Sequence, residues 1–158
     1  MSEIIEGEVS AASYRFAVIV SRYNSFLSER LLASALEALN SRGANDNNIT
    51  VFRVPGSFEI PQAARKIADQ REHDAIICLG ALLRGETLHF EIISRECASG
   101  LQSVAADFGI PVTFGVITAD TIEQATARAA KGSENKGWEA AIAAVEMADL
   151  YKKIERMK

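Results

Sequence analysis

The sequence predicts an α/β protein, a three-layer sandwich in which a four-stranded parallel sheet is flanked by helices on both faces. Short β-branched apolar runs alternate along the chain with longer segments whose apolar residues recur every three or four positions. This alternation implies parallel strands joined by right-handed crossover connections. The length of 158 residues and the hydrophobic content of 48% fit one domain that covers residues 1–158.

The four predicted strands are apolar runs of the kind that is covered on both faces. The third has the most apolar composition, so we expect it to be the most buried. The strands are residues 15–20 (RFAVIV), 49–54 (ITVFRV), 74–80 (DAIICLG) and 110–118 (IPVTFGVIT).

The first two predicted helices follow the first two strands. Apolar residues every four positions indicate a helix over 26–42. Asn24 or Ser25 can cap its start, and Gly43 closes it as a C′ glycine. A turn, PGSFEIP, separates the second strand from a helix over about 60–71.

The later helices have clear boundaries in the sequence. Alternating spacings of three and four predict a strongly amphipathic helix over 89–108. Asp120, with Glu123 three residues later, resembles a capping box that opens a short helix ending near residue 130. The last helix is predicted over 137–154.

The N-terminal segment IIEGEVS (4–10) has a strand-like pattern but no place in the strand order of its own sheet. We therefore treat residues 1–12 as an arm outside the core.

Composition excludes several classes of function. The net charge is −4, and no basic cluster indicates nucleic-acid binding. Cys78 and Cys97 are expected to be reduced core thiols, and no Cys/His spacing indicates a metal site. The apolar runs are too short for a membrane span, and no signal peptide is visible. We expect a cytoplasmic protein without membrane contact or structural zinc.

In an open α/β sheet, ligands bind beyond the carboxyl ends of the strands. That rule selects four segments of this chain, which are residues 21–24, 55–59, 80–88 and those after Phe114.

The segment after the third strand, GALLRGET (80–87), nearly matches the phosphate loop GxxxxGK[ST]. Glu86 stands where lysine is required, which disfavours a nucleoside triphosphatase because a carboxylate repels the β- and γ-phosphates. Gly85 permits a tight turn, and the amides of Glu86 and Thr87 would then point outward at a helix N-terminus. The turn is either a site for one anion, such as a monophosphate, or an ordinary glycine turn.

His89 begins the predicted third helix, one or two residues from this turn. It is either a proton-transfer residue or an exposed polar residue without a role. His73 lies in a charged turn at the opposite end of the strands, and we assign it no role.

Five stretches resemble lumazine synthase, the riboflavin-pathway enzyme family that makes 6,7-dimethyl-8-ribityllumazine. They are RYN (22–24), VPGSFEIP (54–61), LGALLRGETLHFE (79–91), VTFGVIT (112–118) and NKGWEAA (135–141). The resemblance spans residues 4–150 and implies a flavodoxin-like fold. It implies condensation of 5-amino-6-(D-ribitylamino)uracil with 3,4-dihydroxy-2-butanone 4-phosphate, with loss of phosphate and water and without a cofactor. This is the penultimate step of riboflavin biosynthesis.

The resemblance also implies roles for individual residues. Tyr23 matches the aromatic residue that stacks on the pyrimidine ring. Gly56 would let the backbone approach the ligand, Ser57 would offer an amide, and Phe58 would line the pocket. Glu59 matches the carboxylate that binds ribityl hydroxyls.

Further residues match the uracil and phosphate sites of the family. Leu82 and Leu83 match positions whose main-chain groups bind the uracil edge. Gly85, Glu86 and Thr87 match the phosphate-binding turn.

His89 matches the proton-transfer residue, and Glu139 an acidic residue that orients or tunes its imidazole. Phe114 and Arg128 match residues supplied by the neighbouring subunit, an aromatic that closes the pocket and an arginine that binds phosphate. Lys136 is implied to lie near the site.

The resemblance implies a homo-oligomer, either a pentamer or a sixty-subunit capsid of pentamers, in which the arm adds a strand to a neighbour's sheet. The segment AAKGSE (129–134) departs from the commoner AGTKAG of the family, which leaves both assemblies open. Two alternatives stay open on the same fold: a non-catalytic lumazine or flavin binder, and a shell-forming protein. An unrelated flavodoxin-like receiver or flavin domain is a third.

Overall fold

A computed structural model describes residues 1–157 as four strands and five α-helices around one parallel sheet. The strand order is β2-β1-β3-β4, and all three neighbouring pairs are parallel. The strands are β1 (Phe16–Ser21), β2 (Ile49–Val54), β3 (Ala75–Leu83) and β4 (Val112–Ala119). The helices are α1 (Ser25–Ser41), α2 (Ile60–Gln70), α3 (His89–Phe108), α4 (Ile122–Arg128) and α5 (Lys136–Glu155).

The predicted three-layer sandwich is confirmed by the way the central strands are buried. Every residue of β1 is buried, and its side chains alternate between two apolar layers. Phe16 and Val18 pack into the layer formed with α1, α4 and α5. Ala17 and Ile19 pack into the layer formed with α2 and α3. Because side chains of a strand point to opposite faces in turn, a fully apolar strand requires helices on both faces.

The two cysteines lie in the α2–α3 layer and are free thiols, as expected. Burial raises the pKa of Cys97 to about 11 and raises that of Cys78 as well. Both thiols therefore act as small apolar core groups. None of the helices within residues 1–157 is both long and apolar enough to span a membrane.

The predicted cap position of α1 is confirmed, but the expected capping by the side chain is wrong. Asn24 stands at the N-cap position, but its backbone is left-handed (φ 59°) and its side chain caps nothing. Instead, its Nδ2 donates to the carbonyl oxygen of Ala81 at 2.8 Å. This bond ties the loop after β1 to the end of β3, so Asn24 fixes the distance between two strand ends.

Two other element ends differ from prediction. β3 continues to Leu83 because Leu83 still pairs with Ala119 of β4. The capping box of α4 is shifted by one residue, since Thr121 Oγ1 accepts from the Gln124 amide at 3.1 Å. Gln124 Oε1 in turn accepts from the amide of Asp120 at 3.0 Å. A hydroxyl and an amide oxygen therefore make the contacts that the sequence assigned to Asp120 and Glu123.

The N-terminal arm, residues 1–12, forms no strand within its own chain and lies along α5 instead. A side chain on Gly7 would place its Cβ only 1.9 Å from the carbonyl oxygen of Glu146, so only glycine permits this approach. Lys153 Nζ donates to the carbonyl oxygen of Glu6 at 2.8 Å. The addition of the arm to a neighbouring sheet stays a prediction.

Asp149 of α5 holds the arm in place. Its carboxylate accepts from the amide of Glu8 and from the hydroxyl of Tyr14, both at 2.7 Å. These two bonds, together with Lys153, lower the pKa of Asp149 below its usual 3.8. Burial and the contact with Asp149 raise the pKa of Tyr14 from 10.0 to about 12.

The pH dependence of this contact follows from the directions of the two pKa shifts. The lowered pKa of Asp149 gives a contribution to the free energy of unfolding that is complete above pH 3.8 and lost as pH falls through the folded-state pKa. The raised pKa of Tyr14 gives a contribution that is complete below pH 10.0 and lost as pH rises towards about 12.

The free energies of unfolding of the native chain and of Asp149→Asn, measured in urea, should therefore differ most between these limits. Asp107→Asn, at another ion-paired aspartate, is the control, and a difference independent of pH would contradict the assignment.

Candidate active site

A cleft of about 490 Å³ opens at the carboxyl edge of the sheet, where the strand ends meet the following loops. Eight residues singled out from the sequence line it together. They are Tyr23, residues 56–59, Leu82, Leu83 and His89. Three separate loops thus converge on one cavity, as the carboxyl-end rule predicts.

Tyr23 forms one wall, and its position depends on Gly56. A Cβ on Gly56 would lie 2.6 Å from Tyr23 Cδ2 and 2.9 Å from Cε2, so one edge of the ring occupies the space of the missing side chain. The amide of Tyr23 donates to the carbonyl oxygen of Pro55 at 3.0 Å, which extends the β1–β2 pairing into the loops. The rest of the ring stays open, with 69% of the residue exposed. A rigidly held, exposed aromatic face suits a flat heterocycle.

Two buried hydroxyls that the sequence patterns did not indicate lie close together near the cleft, and one of them, that of Ser57, belongs to a lining residue. A Cβ on Gly80 would lie 2.7 Å from Ser21 Oγ and 2.9 Å from Ser57 Oγ. Both hydroxyls are buried and have no hydrogen-bond partner within residues 1–157. Buried polar groups are normally paired, so these two hydroxyls mark a place where a water or a ligand hydroxyl can complete the bonding. The sequence does contain one indication of this close approach: small residues, Ser21, Ser57 and Gly80, stand at or just after the ends of three strands.

Glu59 brings a carboxylate to the same wall. Its amide donates to the carbonyl oxygen of Gly56 at 3.2 Å, closing a short 3₁₀ turn over Ser57–Glu59. Its Oε1 lies 3.3 Å from where a Cβ on Gly56 would stand, close to the ring of Tyr23. Among the described residues Glu59 has no cationic partner. Phe58 lies at the rim, 47% exposed.

The predicted anion turn, residues 85–87, is exposed, as is Leu88, and it lies ahead of α3 rather than inside its first turn. Its amides donate no hydrogen bond within the part of the chain described, while Thr87 Oγ1 accepts from the amide of His89 at 3.3 Å. Glu86 is exposed and forms no ion pair with any residue in 1–157. The turn can therefore offer free amides to an anion.

The predicted reason for Gly85 is wrong. Its backbone does not have a positive φ, and an added Cβ would meet no atom within 4 Å. Nothing in the chain itself requires glycine at this position.

His89 is the first residue of α3 and lines the cleft beside Ile93. No hydrogen bond engages its imidazole among the described residues, so both ring nitrogens face a ligand or solvent. His73 lies at the opposite edge of the sheet, edge-on to Phe52 with a ring centroid distance of 6.2 Å. Burial lowers the pKa of His73.

The remaining predicted residues, among them Gly85, Glu86 and Thr87 of the anion turn, do not line the cleft of their own chain. Phe114 lies on the edge strand β4 with 39% exposure, and Arg128 is the exposed last residue of α4. Lys136 Nζ and Glu139 Oε2 form an ion pair of 3.3 Å on the first turn of α5. Within one chain, Glu139 therefore contacts Lys136 and not His89.

Fold and site together define a class: an α/β protein with a small-molecule cleft at the carboxyl edge of a parallel sheet. The cleft combines an aromatic face, a carboxylate and a histidine. The exposed turn of free amides precedes His89 in the chain and lies outside the residues that line the cleft. The described residues contain no group of three or more side chains arranged to hold a metal ion.

Comparison with known proteins narrows this class. The sequence profile of the family described as 6,7-dimethyl-8-ribityllumazine synthase matches residues 13–152. Two proteins of that name are similar to the chain over nearly the full length of both. The one from Syntrophus aciditrophicus (strain SB) is 47% identical over 98% of this chain and 100% of its own. The one from Desulfatibacillum aliphaticivorans is 51% identical over 95% and 97%. The chain belongs to the 6,7-dimethyl-8-ribityllumazine synthase family, which confirms the resemblance drawn from its motifs.

The contact between Gly56 and Tyr23 can be tested without a ligand. A methyl group on Gly56 must displace the ring, so Gly56→Ala should lower the free energy of unfolding by about 1–3 kcal/mol. In a Tyr23→Ala background the methyl finds space, and most of that loss should disappear. Urea unfolding of the four chains measures the coupling. Equal losses in both backgrounds would show that the ring does not occupy this space. Gly85→Ala, where the methyl meets nothing, is the control.

Proposed function

We propose that this chain, a member of a transferase family, condenses 5-amino-6-(D-ribitylamino)uracil with 3,4-dihydroxy-2-butanone 4-phosphate. The product is 6,7-dimethyl-8-ribityllumazine, and phosphate and water are released. The observation that carries this proposal is the convergence of Tyr23, Glu59 and His89 on one cleft in a chain that matches the family over most of its length.

The inner part of the cleft is suited to the ribitylaminouracil. The exposed face of Tyr23 offers a stacking surface for the pyrimidine. The half-buried ends of Leu82 and Leu83 offer main-chain groups to the uracil edge. The carboxylate of Glu59 has no cationic partner among the described residues and can accept from ribityl hydroxyls. Carboxylates make strong, oriented hydrogen bonds with such donors.

The exposed turn between the cleft and α3 is suited to the phosphate. The amides of Glu86 and Thr87 are free, and they lie immediately before α3, where the helix dipole favours an anion. A fork of guanidinium donors, supplied by Arg128 of an adjacent subunit, would complete the site. Phe114 would enter the cleft from the same neighbour, while Lys136 would lie near the site and Glu139 would orient or tune the imidazole of His89.

His89 stands between these two parts and performs the proton transfers. The amine attacks the ketone, and protons must then move at the carbinolamine, at imine formation and at elimination of phosphate. Most of the acceleration comes from holding amine and ketone in one orientation, because such positioning has the larger effect on rate.

This division of the site requires an assembly of identical subunits, a pentamer or sixty subunits built from pentamers. Support comes from the surface of a single chain. Phe114 and Ile122 are exposed apolar residues next to β4, with exposed fractions of 39% and 55%. The edge strand β2 leaves Val51 37% exposed, and the arm of a neighbour would cover that edge. We place the enzyme in the cytoplasm, acting on small molecules without a cofactor.

The direct test mixes both substrates with the purified protein and follows product absorbance, with size analysis of the same sample. We expect turnover by an oligomer. Binding of the ribitylaminouracil without product formation would instead identify a non-catalytic member of the fold.

Replacement of His89 separates positioning from proton transfer. His89→Ala should lower kcat by about two to three orders of magnitude and leave measurable turnover, since general acid–base catalysis contributes a factor of that order. His73→Ala, at the other end of the sheet, should leave kcat unchanged. Complete loss of turnover in a correctly assembled His89→Ala protein would contradict the dominance of positioning.

Sharing of the site between subunits predicts complementation. Glu59→Gln disables the chain that forms the cleft, and Arg128→Ala disables the chain that supplies the guanidinium. Each variant alone should turn over poorly. Random co-assembly of equal amounts should restore about a quarter of native activity, because one site in four combines two native halves. If both residues act in the cleft of one chain, co-assembly restores nothing.

A further inference from the structure

Arg84 lies directly before the anion turn, but its guanidinium contacts protein groups instead. Its Nε donates to Asp120 Oδ1 at 2.6 Å, and its Nη1 donates to Glu91 Oε1 at 2.8 Å. The guanidinium also lies 4.7 Å from the ring centroid of Phe90. Neither the motifs nor the family resemblance gave this residue a role.

These contacts join three parts of the chain. Asp120 forms the corner between β4 and α4, while Phe90 and Glu91 belong to the first turn of α3. The amide of Arg84 donates to the carbonyl oxygen of Ala119 at 2.9 Å, so the backbone at this point is still held by β4. Immediately afterwards the chain leaves the sheet and enters the exposed turn.

The turn itself has little else to hold it. Residues 85–88 are exposed, and within the described chain their amides donate no hydrogen bond. Among residues 1–157, the hydrogen bonds made by this segment are the acceptance by Thr87 Oγ1 from the His89 amide and by the Leu88 carbonyl from the Ile92 amide. Both of these lie on the α3 side. On the β3 side, the Arg84 side chain is the connection to both neighbouring elements.

We propose that Arg84 is a positioning residue that fixes the anion turn between the β4–α4 corner and the first turn of α3. Its two ion pairs hold the amides of Glu86 and Thr87 in the arrangement that receives the phosphate of the butanone substrate. This inference rests on the proposed function of that turn. Arg84 donates to carboxylates on both sides, so its guanidinium makes no contact with the anion itself.

The exposure of these ion pairs predicts that loss of Arg84 changes anion affinity and not the free energy of unfolding. The Arg84, Glu91 and Asp120 side chains are 46%, 46% and 62% exposed, and such exposed ion pairs contribute little to overall stability. Ordering a loop before the ligand arrives strengthens binding, because the ligand no longer has to order it. Loss of Arg84 should therefore affect affinity for the anion far more than resistance to unfolding.

The first experiment measures dissociation constants for inorganic phosphate by calorimetry and KM for both substrates. Arg84→Gln should weaken phosphate binding and raise KM for the butanone phosphate by about tenfold. KM for the ribitylaminouracil should change less than about twofold, since that substrate binds the rigid part of the cleft. Arg84→Lys should recover only part of the loss, because an ammonium lacks the fork that spans two carboxylates.

A matched control exists on the opposite side of the molecule. Arg65 Nη2 lies 2.8 Å from Asp107 Oδ2, its guanidinium lies 5.4 Å from the ring centroid of Phe108, and its side chain is 49% exposed. Arg65→Gln removes the same kind of ion pair and cation–π contact away from the cleft. It should leave phosphate affinity and both KM values unchanged.

A second comparison separates positioning from charge. Arg84→Gln leaves the carboxylates of Glu91 and Asp120 uncompensated near an anion site, which alone could weaken binding. The triple variant Arg84→Gln, Glu91→Gln, Asp120→Asn removes those charges as well. If Arg84 positions the turn, the triple variant stays weak, whereas recovery of native affinity would overturn the proposal in favour of charge compensation.

These experiments can refute the positioning role of Arg84 and the proposed condensation reaction independently of each other. Native turnover combined with unchanged phosphate affinity in Arg84→Gln overturns the role of Arg84 alone. Absence of turnover in the native protein overturns the function. Absence of phosphate binding by the native protein overturns both the anion turn and the role of Arg84.

Discussion

The close approach of three chain segments at Gly80 is the constraint on which the site depends. Ser21 from β1 and Ser57 from the turn after β2 both lie within 3 Å of where a Gly80 side chain would begin. A side chain at Gly80 would have to displace both hydroxyls from the space between the strand ends that carry Tyr23, Glu59 and Leu83. Interiors pack at crystal-like density, so such a contact leaves no spare volume to absorb a methyl group.

The proposed site has a rigid part, which the sheet holds, and a less constrained part, which is the exposed anion turn. The Tyr23 wall is held by the amide bond of Tyr23 to Pro55 and by close packing of its ring on Gly56, so the ring of a ligand would meet a preformed surface. The anion turn beyond β3 is exposed and is tied down through its flanking residues. A reaction that depends on orientation requires both parts to be fixed relative to each other. His89 occupies the junction, at the first residue of α3.

Much of this arrangement could be predicted from residue patterns. Periodicity and element order were sufficient for the three layers, since a chain that alternates buried strands with amphipathic helices has few other solutions. Element ends were less predictable because local hydrogen bonds decide them, as Thr121 in place of Asp120 and the left-handed Asn24 demonstrate. The strand-end rule brought most site residues together. Contacts between distant segments, such as Tyr23 on Gly56, leave no trace in local sequence.

One subunit contains only part of the proposed site, and the central claim is that an adjacent subunit completes it. The most direct measurement is a structure of the assembled protein with inorganic phosphate bound. The account predicts an anion on the amides of Glu86 and Thr87, with the guanidinium of Arg128 from an adjacent subunit within hydrogen-bonding distance. An assembly in which Arg128 lies far from this turn in every pair of adjacent subunits would contradict it.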